Sequence, residues 1–79
     1  MTLSANASDV IESRIDGDFE GFDEGNVYKL MNGQIWIQVS FNYNYHYSYM
    51  PEVIIFKNRG RYYMKVEGVD KTVEVEQLR

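Results

Sequence analysis

The chain contains no cysteine, and proline occurs only once among its 79 residues. Without thiols there is no disulfide scaffold, no thiolate metal site and no cysteine nucleophile, and a single proline excludes collagen-like or proline-rich disorder. The lack of thiols is compatible with a reducing compartment. Hydrophobic residues make up 44% of the sequence, so we expect a globular fold that is stabilised by a hydrophobic core.

Long apolar runs are also missing. No stretch approaches the roughly 20 residues that a membrane-spanning helix requires. The first residues have neither the positive charges nor the apolar segment of a secretory signal peptide. We therefore expect a cytoplasmic protein that does not associate with membranes.

The charge balance is acidic, with 12 acidic and 8 basic residues and a formal net charge of −4. This balance argues against a general nucleic-acid-binding protein. The length allows one domain with a small core, since domains usually hold on the order of 100–200 residues. We expect residues 1–9 to be a flexible N-terminus and residues 10–79 to form a single β-barrel domain.

Alternation of apolar and polar residues predicts strands along most of the chain. In the first clear segment the apolar or small positions are Ile15, Gly17, Phe19 and Gly21, and the charged positions are Arg14, Asp16, Asp18 and Glu20. This pattern indicates a half-buried strand with a charged outer face.

The dipeptide Asn32-Gly33 predicts a two-residue hairpin loop, because both residues tolerate positive φ. The resulting register pairs Leu30 with Ile35. It places Tyr28, Leu30, Ile35 and Ile37 on one face, and Lys29, Met31, Gln34 and Trp36 on the other.

From Ile35 to Tyr49 every odd position is large and apolar or aromatic, an alternation of 15 residues. Strands usually hold about 5–6 residues, so we expect a bend, a bulge or a break near residues 42–44. Pro51 lacks a backbone donor and should therefore begin a strand or lie at an edge.

A second hairpin is predicted around residues 58–60, as a three-residue loop that pairs Phe56 with Tyr62. This register collects one apolar face: Ile54, Phe56, Tyr62, Met64 and Val66. A two-residue Arg59-Gly60 loop is the competing register.

These segments amount to five or six short, strongly bent antiparallel strands, the last over residues 72–76 with Val73 and Val75 inward. Closing such a sheet hides its strand edges. The predicted fold class is all-β, a small SH3-like barrel. An OB-like barrel is the weaker alternative, because the chain is short and shows no central helix.

Four blocks of the sequence are distinctive: residues 15–21, 30–36, 45–51 and 64–71. The second contains an Asn-Gly-Gln-x-Trp motif and the third a Tyr-x-Tyr-x-x-x-Pro motif. The segment from Ile15 to Val75, roughly three quarters of the chain, resembles a group of short bacterial all-β domains of uncharacterised function. Members of that group commonly have Gln after the Trp, where this chain has Ile37. The resemblance implies a stand-alone or appended β domain and supplies no activity, catalytic residue or cofactor.

An aromatic run occupies the odd positions of the long alternation: Phe41, Tyr43, Tyr45, Tyr47 and Tyr49. The four tyrosines, together with Trp36, are the candidate partner-binding residues, because tyrosine combines a large apolar face with a hydroxyl. One alternative is that the rings fill the core and rim of the barrel, and another is that they form a self-association surface. So many rings exceed what a small core is expected to bury, which favours contact with another molecule.

The sequence has few side chains arranged as a catalytic or metal-binding site would require. His46 is the only histidine, and no recognised nucleophile motif surrounds it. Residues 16–21 resemble a calcium loop, but its twelfth position is Val27, where a glutamate is needed. We interpret the acidic residues of this segment as a solvated strand face, and we expect no enzyme activity, no metal and no cofactor.

The second hairpin is basic, with Lys57, Arg59, Arg61 and Lys65 and with Tyr63 among them. Basic residues with interleaved aromatics grip phosphates and stack bases, so this is the alternative site, for an anion or a nucleic acid. The acidic residues in the rest of the chain would repel an anionic partner, which argues against this site. The predicted function is a non-catalytic interaction module that binds a protein or a second copy of itself, and a single-stranded nucleic-acid-binding barrel is the alternative.

Overall fold

The computed structural model describes residues 10–79, which form eight short antiparallel strands and no helix. The strands are β1 (Val10–Arg14), β2 (Asp18–Phe22), β3 (Val27–Lys29), β4 (Ile35–Gln38), β5 (Asn44–Tyr49), β6 (Glu52–Asn58), β7 (Arg61–Val66) and β8 (Thr72–Gln77). Residues 1–9, predicted to be a flexible N-terminus, lie outside the described residues.

The strands form two sheets. Six of them lie in the order β1-β6-β7-β8-β4-β3, and β2 pairs with β5 in a separate two-stranded ribbon. The predicted all-β class is confirmed. The predicted number of five or six strands is wrong. Residues 10–14 form an additional strand, β1, and the long alternation of residues 35–49 is interrupted at residues 39–43.

The two outer strands of the six-stranded sheet meet at one end. Ile15 and Leu30 form a β-bridge just beyond β1 and β3. Two backbone hydrogen bonds flank it, from the Met31 N–H to the Arg14 carbonyl and from the Asp16 N–H to the Lys29 carbonyl, each 2.8 Å long. The sheet is therefore strongly curved.

The core lies between the curved sheet and the ribbon. Its buried apolar side chains are Ile15, Phe19, Phe22, Tyr28, Leu30, Trp36, Val53, Ile55, Met64, Val66, Val69, Val73 and Val75. Phe19 and Phe22 from the ribbon meet edge-to-face at 5.5 Å between ring centroids, and Phe22 meets Tyr28 of β3 at 6.3 Å. These ring contacts join the ribbon to the six-stranded sheet. The predicted inward positions Ile15, Phe19, Val73 and Val75 are confirmed.

The register predicted for the first hairpin is wrong by one residue. Tyr28 pairs with Trp36 and Lys29 with Ile35. The Leu30 N–H then donates to the Gln34 carbonyl at 2.9 Å, so the loop has three residues, 31–33, rather than two. The Asn32 side chain accepts a hydrogen bond of 2.9 Å from the Gln34 N–H, which supports the longer loop. A slip of one residue reverses the faces, so Trp36 points inward while Ile35 and Ile37 are only half-buried.

The second hairpin adopts the competing register, with the two-residue loop of Arg59 and Gly60. Asn58 pairs with Arg61 around a two-residue loop. Arg59 and Gly60 have φ of 55° and 80°, as a type I′ turn requires. Ile55 therefore lies in the core opposite Met64, whereas Ile54, which was predicted to be inward, is 42% exposed.

Gln38, at the end of β4, is a polar side chain inside the core, with 1% of its surface exposed. Its Oε1 accepts hydrogen bonds from the Asp23 N–H and from the Tyr28 hydroxyl, both 2.9 Å long. Its Nε2 donates to the carbonyls of Ser40 at 3.0 Å and Asn42 at 2.8 Å. One amide thereby joins the β2–β3 turn, β3 and the segment that leads to β5.

We expect Gln38→Leu to lower the free energy of unfolding by about 2–4 kcal/mol, because each unsatisfied buried polar group costs on the order of 1–3 kcal/mol. Gln77→Leu is the control, since Gln77 is exposed on β8 and its replacement should change stability by about 0.5 kcal/mol or less. Urea denaturation measures both variants. Equal losses of stability would contradict the role assigned to the Gln38 amide.

Candidate functional site

The chain leaves the six-stranded sheet after β4 and crosses to the ribbon over residues 39–43. The Val39 N–H donates to the Glu74 carbonyl at 3.0 Å, and the Glu74 N–H donates to the Ser40 hydroxyl oxygen at 3.2 Å. Together with the bonds from Gln38, these contacts hold the crossing in place. The break predicted near residues 42–44 is confirmed, and it begins earlier, at Val39.

The aromatic run lies on the outside of the molecule. We call its five residues the tyrosine surface: Phe41, Tyr43, Tyr45, Tyr47 and Tyr49. Their exposed fractions run from 53% for Tyr47 to 86% for Phe41. The alternative in which these rings fill the core is therefore wrong. All four tyrosines predicted to bind a partner are available to one.

The polar side of the same alternation faces inward. Asn44, His46 and Ser48 are half-buried on β5. The His46 ring covers Gly68 in the β7–β8 turn so closely that a Cβ at Gly68 would lie 3.2 Å from Nε2. Ser48 is the cross-strand partner of the buried Phe19, so the polar side of β5 lies on the core side of the ribbon.

The ribbon places acidic residues beside the tyrosines. Asp18 of β2 is the cross-strand partner of Tyr49, and its Oδ1 accepts a hydrogen bond of 2.8 Å from the Tyr47 hydroxyl. This hydrogen bond raises the pKa of the Tyr47 hydroxyl above its ordinary value. The bond also orients the Tyr47 ring along the outer face of the ribbon.

Charge is distributed unevenly between the two sheets. Residues 16–24 carry five exposed acidic side chains and no basic one, and residues 39–51 carry no formal charge. The ribbon and its flanks thus hold −5. The rest of the described chain has six acidic and eight basic residues, a net of +2. The tyrosine surface lies within the negative part of the molecule.

Trp36 does not belong to the tyrosine surface. It has 0% of its surface exposed, and its ring packs edge-to-face against Tyr62 at 5.1 Å between centroids. A side chain without exposed area has nothing to present to a partner, so its assignment as a partner-binding residue is corrected. The cause is the one-residue shift in the first hairpin.

The residues of the basic hairpin are divided between two faces. Arg61, Tyr63 and Lys65 share the outer face of β7, whereas Lys57 lies on the other face with its Nζ 5.7 Å from the Tyr62 ring centroid. Arg59 is in the turn. Two of the cations already have partners: Arg61 lies 3.7 Å from a Glu74 carboxylate oxygen, and the Lys65 Nζ donates to the Val69 carbonyl at 3.0 Å.

One concave site lies away from the tyrosine surface. A groove of about 480 Å³ runs between β1 and β6, beside the ion pair of Arg14 and Glu52, and it includes none of the surface rings. Within residues 10–79 no three histidine or acidic side chains come together as a metal site would require. The tyrosine surface suits contact with a macromolecule better than enclosure of a small ligand.

Comparisons with protein-family models, with curated proteins and with solved structures found no match to this chain. The resemblance to short bacterial β domains stays a prediction. The described part of the chain, residues 10–79, contains no helix that could span a membrane. Function is therefore inferred from the geometry of the ribbon.

Gly21 is a residue of this site that the sequence pattern placed inward without revealing its role. It has a φ of 110°, and a Cβ there would overlap the Asn44 carbonyl and lie 2.8 Å from the Tyr45 Cα. Between Phe19 and Gly21 the pairing with β5 shifts by one residue. The close approach of the two strands at Gly21 sets how β5 lies on β2.

We expect Gly21→Ala to destabilise the protein by about 3 kcal/mol or more, because a left-handed φ costs roughly 1–2 kcal/mol and the overlap with β5 adds to it. Gly25→Ala is the matched control. Gly25 has a φ of 86° but no atom within 4 Å of the added Cβ, so this variant should show only the conformational cost. Chemical denaturation that shows equal destabilisation would contradict the close approach.

Proposed function

We propose that the chain is a non-catalytic protein-interaction module, an SH3-like barrel that contacts another protein or a second copy of itself through the tyrosine surface. The observation that carries this proposal is the exposure of five aromatic side chains, each by 53% or more, along one short stretch of chain. A monomeric protein rarely leaves so many adjacent rings in water without use.

The barrel part of the proposal draws support from the curvature of the six-stranded sheet. Its two outer strands come within hydrogen-bonding distance beside Ile15 and Leu30. Strand edges that meet in this way are protected from pairing with other chains. The ribbon of β2 and β5 then covers one opening of the curved sheet through Phe19 and Phe22.

The chemistry of tyrosine supports a contact role. Tyrosine is enriched at the centres of protein interfaces, and it loses little conformational entropy on binding. Burying exposed apolar area stabilises a complex by roughly 25 cal/mol per Å² before the costs of association. The inward position of His46, against Gly68 rather than in the tyrosine surface, is consistent with a site that binds and does not catalyse.

We expect the double variant Tyr45→Ser, Tyr47→Ser to weaken protein association at least about tenfold, since truncating a central interface tyrosine typically costs more than about 1 kcal/mol. Two measurements apply: sedimentation of the chain over a concentration series, and capture of proteins from the source cell on immobilised chain. Thermal unfolding should be nearly unchanged, because both rings are exposed.

The matched control for this experiment is Met31→Ser, Leu78→Ser, which removes two side chains of similar exposure, 55% and 58%, from outside the tyrosine surface. It should sediment and capture proteins as the wild type does. A wild-type chain that is monomeric throughout and captures the same proteins as the tyrosine variant would refute the proposed function.

Single-stranded nucleic acid is the second candidate partner, and one observation favours it. Tyr63 lies between Arg61 and Lys65 on the outer face of β7, stacked on Phe56 at 5.8 Å between centroids. A ring flanked by cations can stack a base while the cations contact phosphates. The partners that Arg61 and Lys65 already have, Glu74 and the Val69 carbonyl, make this candidate the weaker one.

This second candidate predicts micromolar binding of a labelled oligothymidylate at low salt, with an affinity that falls steeply as salt rises. Replacing Arg61 and Lys65 with Gln should reduce the slope of log affinity against log salt by about 1.4, because each phosphate that a cation neutralises on a single strand contributes about 0.7. Fluorescence anisotropy measures both quantities. Absence of binding at low salt would eliminate the nucleic-acid candidate.

A further inference from the structure

The outer face of the ribbon combines two kinds of side chain. β2 contributes the carboxylates of Asp18 and Glu20, and β5 contributes the rings of Tyr45, Tyr47 and Tyr49, all of them exposed. The pairing of Asp18 with Tyr49 and the hydrogen bond from the Tyr47 hydroxyl to Asp18 show that rings and carboxylates are direct neighbours. A partner that covers the rings must also meet the carboxylates.

Charge decides which kind of partner fits. The ribbon and its flanks hold −5, so two copies that met ribbon to ribbon would bring two strongly negative surfaces together. Like charges placed face to face oppose association. An acidic partner would meet the same repulsion, and a neutral one would leave the carboxylates desolvated without compensation. A cationic partner gains from both the rings and the acids.

Arginine fits this surface better than lysine does. Its planar guanidinium stacks on aromatic faces and also forms paired hydrogen bonds with a carboxylate. Asp18 uses Oδ1 to accept the Tyr47 hydroxyl, and within residues 10–79 no donor is bound to its Oδ2. That oxygen can therefore accept a hydrogen bond from a guanidinium stacked on the neighbouring Tyr47 ring.

From this arrangement we infer that the tyrosine surface binds an arginine-bearing, cationic segment of another protein, with guanidinium groups stacked on the Tyr45, Tyr47 and Tyr49 rings and hydrogen-bonded to Asp18 and Glu20. This inference rests on the proposed function and adds the chemical class of the partner. The bound segment carries few acidic residues of its own, since these would meet the five acids of the ribbon and its flanks.

The test uses the full chain and three fluorescein-labelled dodecapeptides, in which Ser alternates with Arg, with Gln or with Glu. Fluorescence anisotropy at low salt should give micromolar affinity for the Arg peptide, at least tenfold weaker binding of the Gln peptide, and no binding of the Glu peptide. Raising the salt should weaken binding of the Arg peptide, because exposed charges are screened.

Two charge variants distinguish binding at a specific site from non-specific electrostatic attraction between the acidic chain and the Arg peptide. Asp18→Asn, Glu20→Gln should weaken binding of the Arg peptide at least tenfold. Glu12→Gln, Glu76→Gln removes the same number of charges from exposed positions on the six-stranded sheet and should change affinity less than twofold. Tyr45→Ser, Tyr47→Ser should also weaken binding by fivefold or more, since it removes two of the rings on which the guanidinium groups stack.

Several results would overturn the inference. Equal weakening in the two charge variants would mean non-specific attraction, and failure of the Arg peptide to bind would exclude a cationic segment. If the Gln peptide binds as well as the Arg peptide and the tyrosine variant releases both, the proposed function stands while the cationic partner does not. If the Arg peptide fails to bind and Asp18→Asn, Glu20→Gln abolishes self-association in sedimentation, the occupant is a second copy, through its own basic hairpin.

Discussion

The buried amide of Gln38 is the interaction on which the arrangement of this molecule depends. It is 1% exposed, yet all four of its hydrogen-bonding positions are used, by Asp23, Tyr28, Ser40 and Asn42. A buried polar side chain contributes to a unique structure only when it is fully satisfied. Here the amide connects the turn after β2 with β3 and with the segment that precedes β5, so both strands of the ribbon are held relative to the six-stranded sheet.

The exposure of the tyrosines follows from that arrangement. Once the crossing at residues 39–43 is held by Gln38 and Glu74, β5 lies on β2 with Gly21 against its backbone. Phe19 and Phe22 already fill the space beneath the ribbon, so the large side of β5 must face outward. The acids of β2 lie on the same outer face, and the result is a surface that is both aromatic and negative.

The sequence was informative where a pattern has one physical solution. Local rules correctly predicted the inward positions of Ile15 and Phe19 and the break before β5. They also gave the two-residue turn at Arg59 and Gly60, as one of two possible registers. The prediction was wrong where a shift of one residue in strand pairing reverses which side chains of a strand face the core. The first hairpin has a three-residue loop, so Trp36 and Gln38 are buried instead of Ile35 and Ile37. The apolar pattern does not distinguish these two registers, because both place apolar residues on either face.

The sequence by itself determined the all-β class, the approximate positions of the strands and the separation of acidic and basic segments, because a period of two and turn residues act over a few neighbours. Only the tertiary structure decided which side of the tyrosine alternation faces water. Either side of such a strand can be buried, and the choice depends on how much core volume other strands have already filled. Trp36, Phe19 and Phe22 fill that volume, and the tyrosines remain outside.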